Sequence, residues 1–291
     1  MLDAFPPVVL ALTCAFLFAL GGQVQSIGLQ TMDARTGTMV SIAANAAFYW
    51  MLAPWLLNVD YFFTTAVLLF AMIGLIRPAI SANLAVAALR HIGPTLTTTL
   101  SSTSPLFAAA IGVLLLDEML TWQIIIGTIG IIMAIVSLSL KDKAAPTTFP
   151  LWALALPIGA AFIRSVGHGI TKIGMVEVPD PYFAAMIGAS VSFVITFTLW
   201  AAKGERKPIN FSGAGPYLFM SAGCIYGIAL ICLNTALLYG EMITVVPIVA
   251  SAPIFSMLMS IIVFRRERVT VRIFIAVGIV MTSVVLISLG H

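Results

Sequence analysis

The chain has little charge. Of its 291 residues, 14 are Lys or Arg and 11 are Asp or Glu, so charged types make up 9%, against about 25% in soluble domains. Apolar types reach 61%, and the mean hydropathy is +1.11. A water-facing surface needs interspersed charges, and a chain of this length has too few of them. The scarcity excludes a soluble enzyme, a nucleic-acid-binding protein and a disordered chain. It predicts an integral membrane protein.

Cysteines and catalytic motifs are also scarce. The three cysteines, Cys14, Cys224 and Cys232, lie in apolar stretches without CxxC spacing, which is typical of small buried side chains. The sequence has no GxxxxGK[ST] phosphate loop, no HExxH, no GxSxG and no His-rich cluster. We therefore expect no enzyme activity, no metal, no cofactor and no ATP-driven transport by this chain alone. The N-terminus lacks a basic segment and a cleavage site, which favours a retained first helix over a signal peptide.

Long apolar runs take up most of the chain. A membrane-spanning helix needs roughly 20 apolar residues, whereas the strands of a membrane barrel alternate over segments of about ten. The runs between turn and charge signals therefore predict ten helices. They cover 8–29, 37–57, 63–89, 95–116, 121–140, 151–174, 182–202, 214–238, 243–264 and 270–289. Four tryptophans at predicted helix ends are interpreted as interfacial anchors: Trp55, Trp122, Trp152 and Trp200.

The cations between these runs are unevenly distributed. Eleven Lys and Arg residues lie on loops of one side, and the other side has only Lys172. Loops rich in Lys and Arg remain in the cytoplasm. We expect the eleven-cation side to be cytoplasmic and both termini to lie on the opposite side.

The second half of the sequence repeats the first. Pro105-Leu106-Phe107 is followed by Glu118 before a Thr, and Pro253-Ile254-Phe255 is followed by Glu267 before a Thr. The offset is 148 for the prolines and 149 for the glutamates. The match predicts two five-helix repeats, residues 1–143 and 144–291.

An odd number of helices per repeat inverts the second copy in the membrane. Secondary transporters with inverted repeats bind substrate near mid-depth, between the halves. Pro105 and Pro253, at equivalent places, are candidate hinges.

These repeats resemble the EamA-type transporters of the drug/metabolite transporter superfamily, most clearly over residues 84–140 and 232–289. The resemblance implies an all-α integral membrane fold with ten transmembrane helices in two inverted five-helix repeats around a central cavity. It also implies movement of small metabolites without ATP, in the bacterial inner membrane. Within the family, the sequence looks most like bacterial exporters of aromatic amino acids.

Two arginines lie inside predicted spans. Arg77 is in the third, and Arg164 is in the sixth with His168 and Thr171 on the same helical face. An ionisable residue at membrane depth is a candidate functional residue. A structural role also stays open, with the guanidinium bonded to carbonyls freed by a nearby proline or reaching an interface.

No acid lies in the middle of a predicted span. All eleven Asp and Glu are in or beside loops, which argues against a cation/proton antiporter with a buried carboxylate. Two intramembrane cations instead favour a substrate with its own negative group, such as the carboxylate of an amino acid. Arg164 or Arg77 would bind it, His168 or Tyr226 would orient the side chain, and hydroxyls of the fourth helix would add hydrogen bonds. The candidate substrate-binding residues are Arg164, His168, Arg77, Asn83, Tyr226, Asn234, Gln23 and Ser101. For the hydroxyls, helix packing is the alternative.

Together these features predict a secondary transporter that exports small metabolites, most of all aromatic or other neutral amino acids, by alternating access. Its partners would be an amphoteric or anionic small molecule and the lipid bilayer, and it would be a monomer or a weak homodimer. A passive channel stays open as an alternative. So does a sugar-phosphate or nucleotide-sugar exchanger, although such substrates usually require several clustered cations.

Overall fold

A computed structural model describes residues 5–76, 80–139, 150–202, 211, 213–262 and 271–290. Over these ranges the chain forms α-helices and short 3₁₀ turns without a strand. In the first half the helices are α1 Pro7–Gly28, α2 Ala34–Leu56, α3 Ala66–Ile76, α4 Ala82–Ser101, α5 Ser104–Leu115 and α6 Trp122–Ser139. In the second half they are α7 Ala155–Glu177, α8 Pro181–Ala202, α9 Ala214–Tyr239, α10 Met242–Ala250, α11 Ala252–Ile262 and α12 Val271–Leu289. The 3₁₀ turns are Val59–Phe63 and Leu151–Leu154.

Helix starts follow local sequence signals. The Asp33 carboxylate accepts a hydrogen bond from the Thr36 backbone N–H at 2.9 Å, which caps α2. Asp180 caps α8 in the same way, with bonds from the N–H groups of Tyr182 at 2.9 Å and Phe183 at 3.0 Å. These short polar caps lie between apolar helices, so the chain turns within a few residues.

Six helical stretches are long and apolar enough to cross a membrane, so the chain is a multi-pass membrane protein. They are Pro7–Gly28, Ala34–Leu56, Leu151–Glu177, Pro181–Ala202, Ala214–Tyr239 and Met242–Ile261. Shorter apolar helices cover Ala66–Ile76, Thr99–Leu115, Trp122–Leu138 and Ile273–Leu289. The all-helical membrane fold is therefore confirmed, and the count of ten spans stays a prediction.

Two of the predicted spans are interrupted at equivalent positions. The fourth, expected to be continuous over 95–116, ends α4 at Ser101 and starts α5 at Ser104. The ninth, expected over 243–264, ends α10 at Ala250 and starts α11 at Ala252. Each new helix starts one residue before a proline, which lacks an N–H and clashes with a preceding helical turn. Both breaks therefore follow from the prolines that the repeat places 148 residues apart.

The third predicted span, 63–89, also differs from the structure. Its helix α3 starts at Ala66, and residues 77–79 lie outside the described part of the chain. The bend between the third and fourth spans is at Gly93, whose φ of 74° suits glycine because it has no Cβ.

Small residues bring helices of the two halves into close contact. A Cβ on Gly37 of α2 would lie 2.3 Å from the Phe219 ring of α9, and one on Gly28 of α1 would lie 2.9 Å from it. The Tyr49 hydroxyl of α2 donates to the Gly227 carbonyl of α9 at 2.8 Å. Close approach through small residues and interhelical hydrogen bonds is the usual basis of helix association in membranes. The halves are therefore interleaved.

The helix termini meet at two ends of the bundle. At one end, a Cβ on Gly240 would lie 2.7 Å from Pro7, and Thr121 donates to the Gly290 carbonyl at 3.1 Å. We call this the outer end. At the opposite, inner end, Arg35 donates to the Leu199 carbonyl at 2.6 Å. The names follow the predicted orientation.

Candidate functional site

Helix α7 passes through the centre of the bundle, in contact with α3, α4 and α5 of the first half and with α8, α9 and α10 of the second. Arg164 lies near the middle of this 23-residue helix, so its guanidinium is attached at mid-depth. The residue is half-buried. Within the described ranges its guanidinium has no hydrogen bond and no ion pair. This is the feature of the site that the sequence predicted most directly.

The orientation of α7 about its own axis is set by contacts of Ser165, the residue next to Arg164. The Ser165 hydroxyl donates to the Ser104 carbonyl at 2.9 Å, and the two hydroxyls are 3.1 Å apart. Phe162 and Phe107 pack edge to face beside them, with ring centroids 5.5 Å apart. These contacts hold the middle of α7 against the start of α5, directly after the break in the fourth span. Arg164 is thus placed beside a helix interruption.

His168 and Thr171 follow Arg164 at intervals of one turn and two turns. Both are buried, His168 at 9% and Thr171 at 4% exposure. The Thr171 hydroxyl donates to the Gly167 carbonyl of its own helix at 2.8 Å. One helical face therefore carries a cation, an imidazole and a hydroxyl in a row toward the outer end.

Two separate sets of hydrogen-bonded polar side chains join four helices in another part of the bundle. The Gln23 amide donates to the Ser256 carbonyl at 2.9 Å and to its hydroxyl at 3.0 Å. The Tyr226 hydroxyl donates to Gln25 Oε1 at 3.2 Å, and Gln25 Nε2 donates to the Ser41 hydroxyl at 3.2 Å. We call these five residues the glutamine cluster. Its bonds connect α1 and α2 to α9 and α11.

Tyr226 has room in this cluster because of a glycine. A Cβ on Gly21 would lie 2.6 Å from the tyrosine ring, so any larger residue would displace it. Phe18 packs on the same ring, with centroids 6.0 Å apart. Tyr226 thus combines an aromatic contact and a hydroxyl at the middle of α9.

Asn45 is a polar residue of the second predicted span that could supply a substrate contact, although it is not among the eight candidate substrate-binding residues. It lies at the middle of α2, one turn after Ser41, and its Oδ1 is buried without a hydrogen bond among the described residues. A buried amide oxygen without a donor is unfavourable in an apolar medium. Its position between polar Ser41 and Tyr49 on one helical face was the signal available in the sequence.

Of the other predicted residues, the structure describes the side chains of two, Asn234 and Ser101. Asn234 is buried, and its amide donates to the Pro181 carbonyl at 3.1 Å, which ties α9 to the α7–α8 turn. Ser101 is the last residue of α4 and is half-buried at the helix break. Arg77 and the side chain of Asn83 lie outside the described residues.

Glu118 and Lys172 form a buried contact that the sequence interpretation missed. Glu118 Oε1 accepts bonds from Lys172 Nζ at 2.6 Å and from the Met242 N–H at 2.7 Å, and Oε2 accepts from the Ile243 N–H at 2.9 Å. Lys172 Nζ also donates to the Gly240 carbonyl at 2.7 Å. The available signal was the repeat that aligns Glu118 with Glu267, which itself lies outside the described residues.

In the described part of the chain, no three His, Cys, Asp or Glu side chains converge as metal ligands would. The polar groups inside the described bundle include the Arg164 guanidinium on α7 and, in another part of the bundle, the amides and hydroxyls of the glutamine cluster. Such groups can bind an anionic head group and orient a small molecule.

Comparison with known proteins identifies the fold and the family. The EamA-like transporter family matches twice, over residues 5–140 and 151–289. One solved structure, titled only as a crystal structure of a protein, superposes with a TM-score of 0.82 at 14% identity. The match covers 97% of this chain and 96% of that one. At this identity, the likeness shows the fold alone. A search of curated proteins gave no match.

Proposed function

Because the chain belongs to the EamA-like transporter family, we propose that it exports small metabolites that carry a carboxylate, foremost amino acids, by alternating access. Membership places the chain among transporters and gives no substrate. The observation that supports the substrate class is Arg164, a mid-depth cation without a protein partner among the described residues.

The electrostatics of Arg164 support an anionic ligand. A guanidinium taken out of water without an anion loses several kcal/mol of solvation free energy. A carboxylate can accept two parallel N–H bonds from a guanidinium, which is the geometry that arginine binds best. A substrate carboxylate would therefore restore solvation free energy that the Arg164 guanidinium loses in the bundle. No protein group in the described structure restores it.

The rest of an amino acid needs other contacts. Its ammonium group requires acceptors, and the Asn45 Oδ1 is a mid-depth acceptor without a donor in the described structure. The Tyr226 ring and His168 would contact the side chain, as the sequence predicts. The preference for aromatic side chains stays a prediction.

The transport architecture is part of the proposal. Ten spans in two inverted repeats would enclose a central cavity, with both termini outside the cytoplasm of a bacterial inner membrane. The helix breaks before Pro105 and Pro253 support hinges at equivalent places in the two halves. Whether the chain is a monomer or a weak homodimer stays a prediction.

Exchange across proteoliposomes tests the proposed function. Vesicles loaded with an unlabelled amino acid should take up the labelled compound faster than empty vesicles, and the rate should saturate. Arg164→Ala should abolish this exchange, whereas Arg35→Ala should retain it, because Arg35 is exposed at the inner end and bonded to a backbone carbonyl. If Arg164→Ala exchanged amino acids at the parental rate, the carboxylate site would be refuted.

The same assay separates a carrier from a pore. A carrier accelerates uptake when substrate is present on the opposite side, since it returns loaded. A passive pore shows no such acceleration and no saturation in this concentration range. Uptake that is linear in concentration and indifferent to preloading would refute alternating access.

A further inference from the structure

We propose that Glu118 and Lys172 form a latch that holds the outer ends of the two halves together, and that α10 moves only when it releases. We call the pair the outer latch. The inference rests on the proposed alternating access and adds a specific conformational device to it.

The latch crosses between the halves. Glu118 lies in the turn between α5 and α6 of the first half, and the three donors to its carboxylate in the described structure belong to α7 and α10 of the second half. The side chain of Glu118 is 5% exposed and that of Lys172 is 20% exposed. The carboxylate therefore exchanges water for three protein donors.

The backbone around Glu118 is built for this contact. Asp117 has a φ of 52°, a left-handed conformation that Asp adopts more readily than most residues. A Cβ on Gly112 would lie 2.5 Å from Glu118 Oε2 and 2.6 Å from Ile243. A strained turn and a missing side chain together allow the carboxylate to reach the start of α10.

The two ends of helix α10 differ: the outer end is capped by Glu118, and the other end is a helix break. At its outer end the two N–H bonds to Glu118 supply a cap, which its own N-cap residue Glu241 does not provide with its side chain. At its other end it stops at Ala250, three residues before Pro253. A nine-residue helix with a break at one end can pivot there. That movement would withdraw Met242 and Ile243 from the carboxylate.

A buried ion pair such as Glu118–Lys172 is better suited to switching between two conformations than to stabilising the fold. The desolvation of two charges offsets most of their attraction, so such pairs contribute little net stability, while losing one partner is unfavourable. We therefore expect the outer latch to be closed in one conformation of the protein and broken in another, with a moderate free-energy difference between the two conformations. Its release would be coupled to the tilt of α10.

A second carboxylate at the outer end offers a matched control. Glu177, the last residue of α7, accepts a bond from the Thr65 N–H at 3.1 Å and another from the Thr65 hydroxyl. It also connects the two halves, but it is exposed. Water can replace an exposed contact at little cost.

Thiol labelling measures the opening of the outer end. Thr171→Cys, in a background without Cys14, Cys224 and Cys232, places a thiol one residue before Lys172. The protein is kept in detergent without substrate and treated with a charged methanethiosulfonate. Glu118→Gln should raise the labelling rate about tenfold, since hydrogen bonds to a charged group are lost. Lys172→Met should raise it too, while Glu177→Gln should change it less than about twofold.

The outcomes distinguish the latch from the substrate proposal. A parental labelling rate in Glu118→Gln would overturn the latch whatever the substrate is. If Glu118→Gln does not fold, Lys172→Met carries the test, with Lys172→Arg expected to label as the parent does. An equal rise in Glu177→Gln would overturn the specificity of the latch. Faster labelling in Glu118→Gln combined with no amino-acid exchange by the parent would support the latch and refute the proposed substrate class.

Discussion

Two cations on the same helix have opposite surroundings. Arg164 and Lys172 lie eight residues apart on α7, the first at mid-depth and the second near the outer end. Lys172 donates to a carboxylate and a carbonyl at 2.6 and 2.7 Å. Arg164 has no such partner among the described residues. Among the described residues, the protein supplies a counter-charge for Lys172 and none for Arg164.

This difference separates a charge that is paired within the protein from one that, in the proposed function, is paired by the substrate. An intramembrane charge that the fold pairs can hold the fold together, and one that the fold leaves unpaired is retained for a ligand. The two roles predict opposite responses to removal of the charge.

The largest effects should come from replacing each cation by methionine. Lys172→Met leaves the Glu118 carboxylate buried without its cation and should reduce the free energy of unfolding by about 2 kcal/mol. Arg164→Met removes an unpaired charge and should raise it by about 1 kcal/mol while transport is lost. Thermal unfolding in detergent measures both. If Lys172→Met and Arg164→Met changed the free energy of unfolding in the same direction, the proposed difference between the two cations would be wrong.

A pair of glycines tests the latch without changing a charge. Gly112→Ala introduces a Cβ 2.5 Å from the Glu118 carboxylate, and such overpacking should destabilise the protein by about 1–3 kcal/mol. Gly278→Ala, where a Cβ meets nothing within 4 Å, should leave stability unchanged within about 0.5 kcal/mol. Melting temperatures of the two variants provide the comparison. Equal melting temperatures would show that Gly112 is not needed for the latch.

A third carboxyl at the outer end, that of Asp180, provides a comparison with Glu118 that can be measured through its pH dependence. Asp180 accepts two backbone N–H bonds but no lysine in the described structure, and burial raises the pKa of its carboxyl above the usual value. A raised folded-state pKa means that this group stabilises the fold below the unfolded-state pKa. The contribution is lost as pH rises through the folded-state value.

Asp180→Asn should remove this pH dependence and keep the α8 cap, since Asn caps as well as Asp. The expected effect is the smallest of the three: a melting temperature that changes less with pH from the usual aspartate pKa, about 4, upward. Melting curves over this range measure it. A steeper profile in the variant would show that the carboxylate, and not the neutral acid, is the stabilised form.

Composition is sufficient for the membrane class, and position along the chain is sufficient to place Arg164 inside an apolar helix; its role in substrate binding stays a prediction. Scarcity of charge requires a membrane, and a mid-span arginine stands out in any apolar run. Pro105 and Pro253 predict weak points in two spans that the sequence presents as continuous, and the helices are interrupted there; hinge motion at these breaks stays a prediction. The position of a proline predicts where a helix is weakened. The residues at which the two resulting helices end and begin depend on the groups that cap them.

Glu118 shows why other parts of the structure could not be predicted. In the sequence it is a loop acid beside Asp117, and nothing local indicates that it is buried. Its burial depends on the α9–α10 turn, more than 120 residues away, and on a glycine at position 112. Gln23 and Tyr226 can be recognised from the sequence as polar groups in apolar helices, and their role in substrate binding stays a prediction. Their partners, Ser256 and Gln25, depend on how the two halves pack.

The most direct test of the account is ligand-induced thermal stabilisation, compared between an amino acid and the amine that lacks its carboxylate. A ligand at about 100 times its Kd raises the free energy of unfolding by about 2.7 kcal/mol. The account predicts that the amino acid stabilises the parent protein, that the amine does not, and that Arg164→Met responds to neither. Equal stabilisation by the amine, or an undiminished response in Arg164→Met, would contradict it.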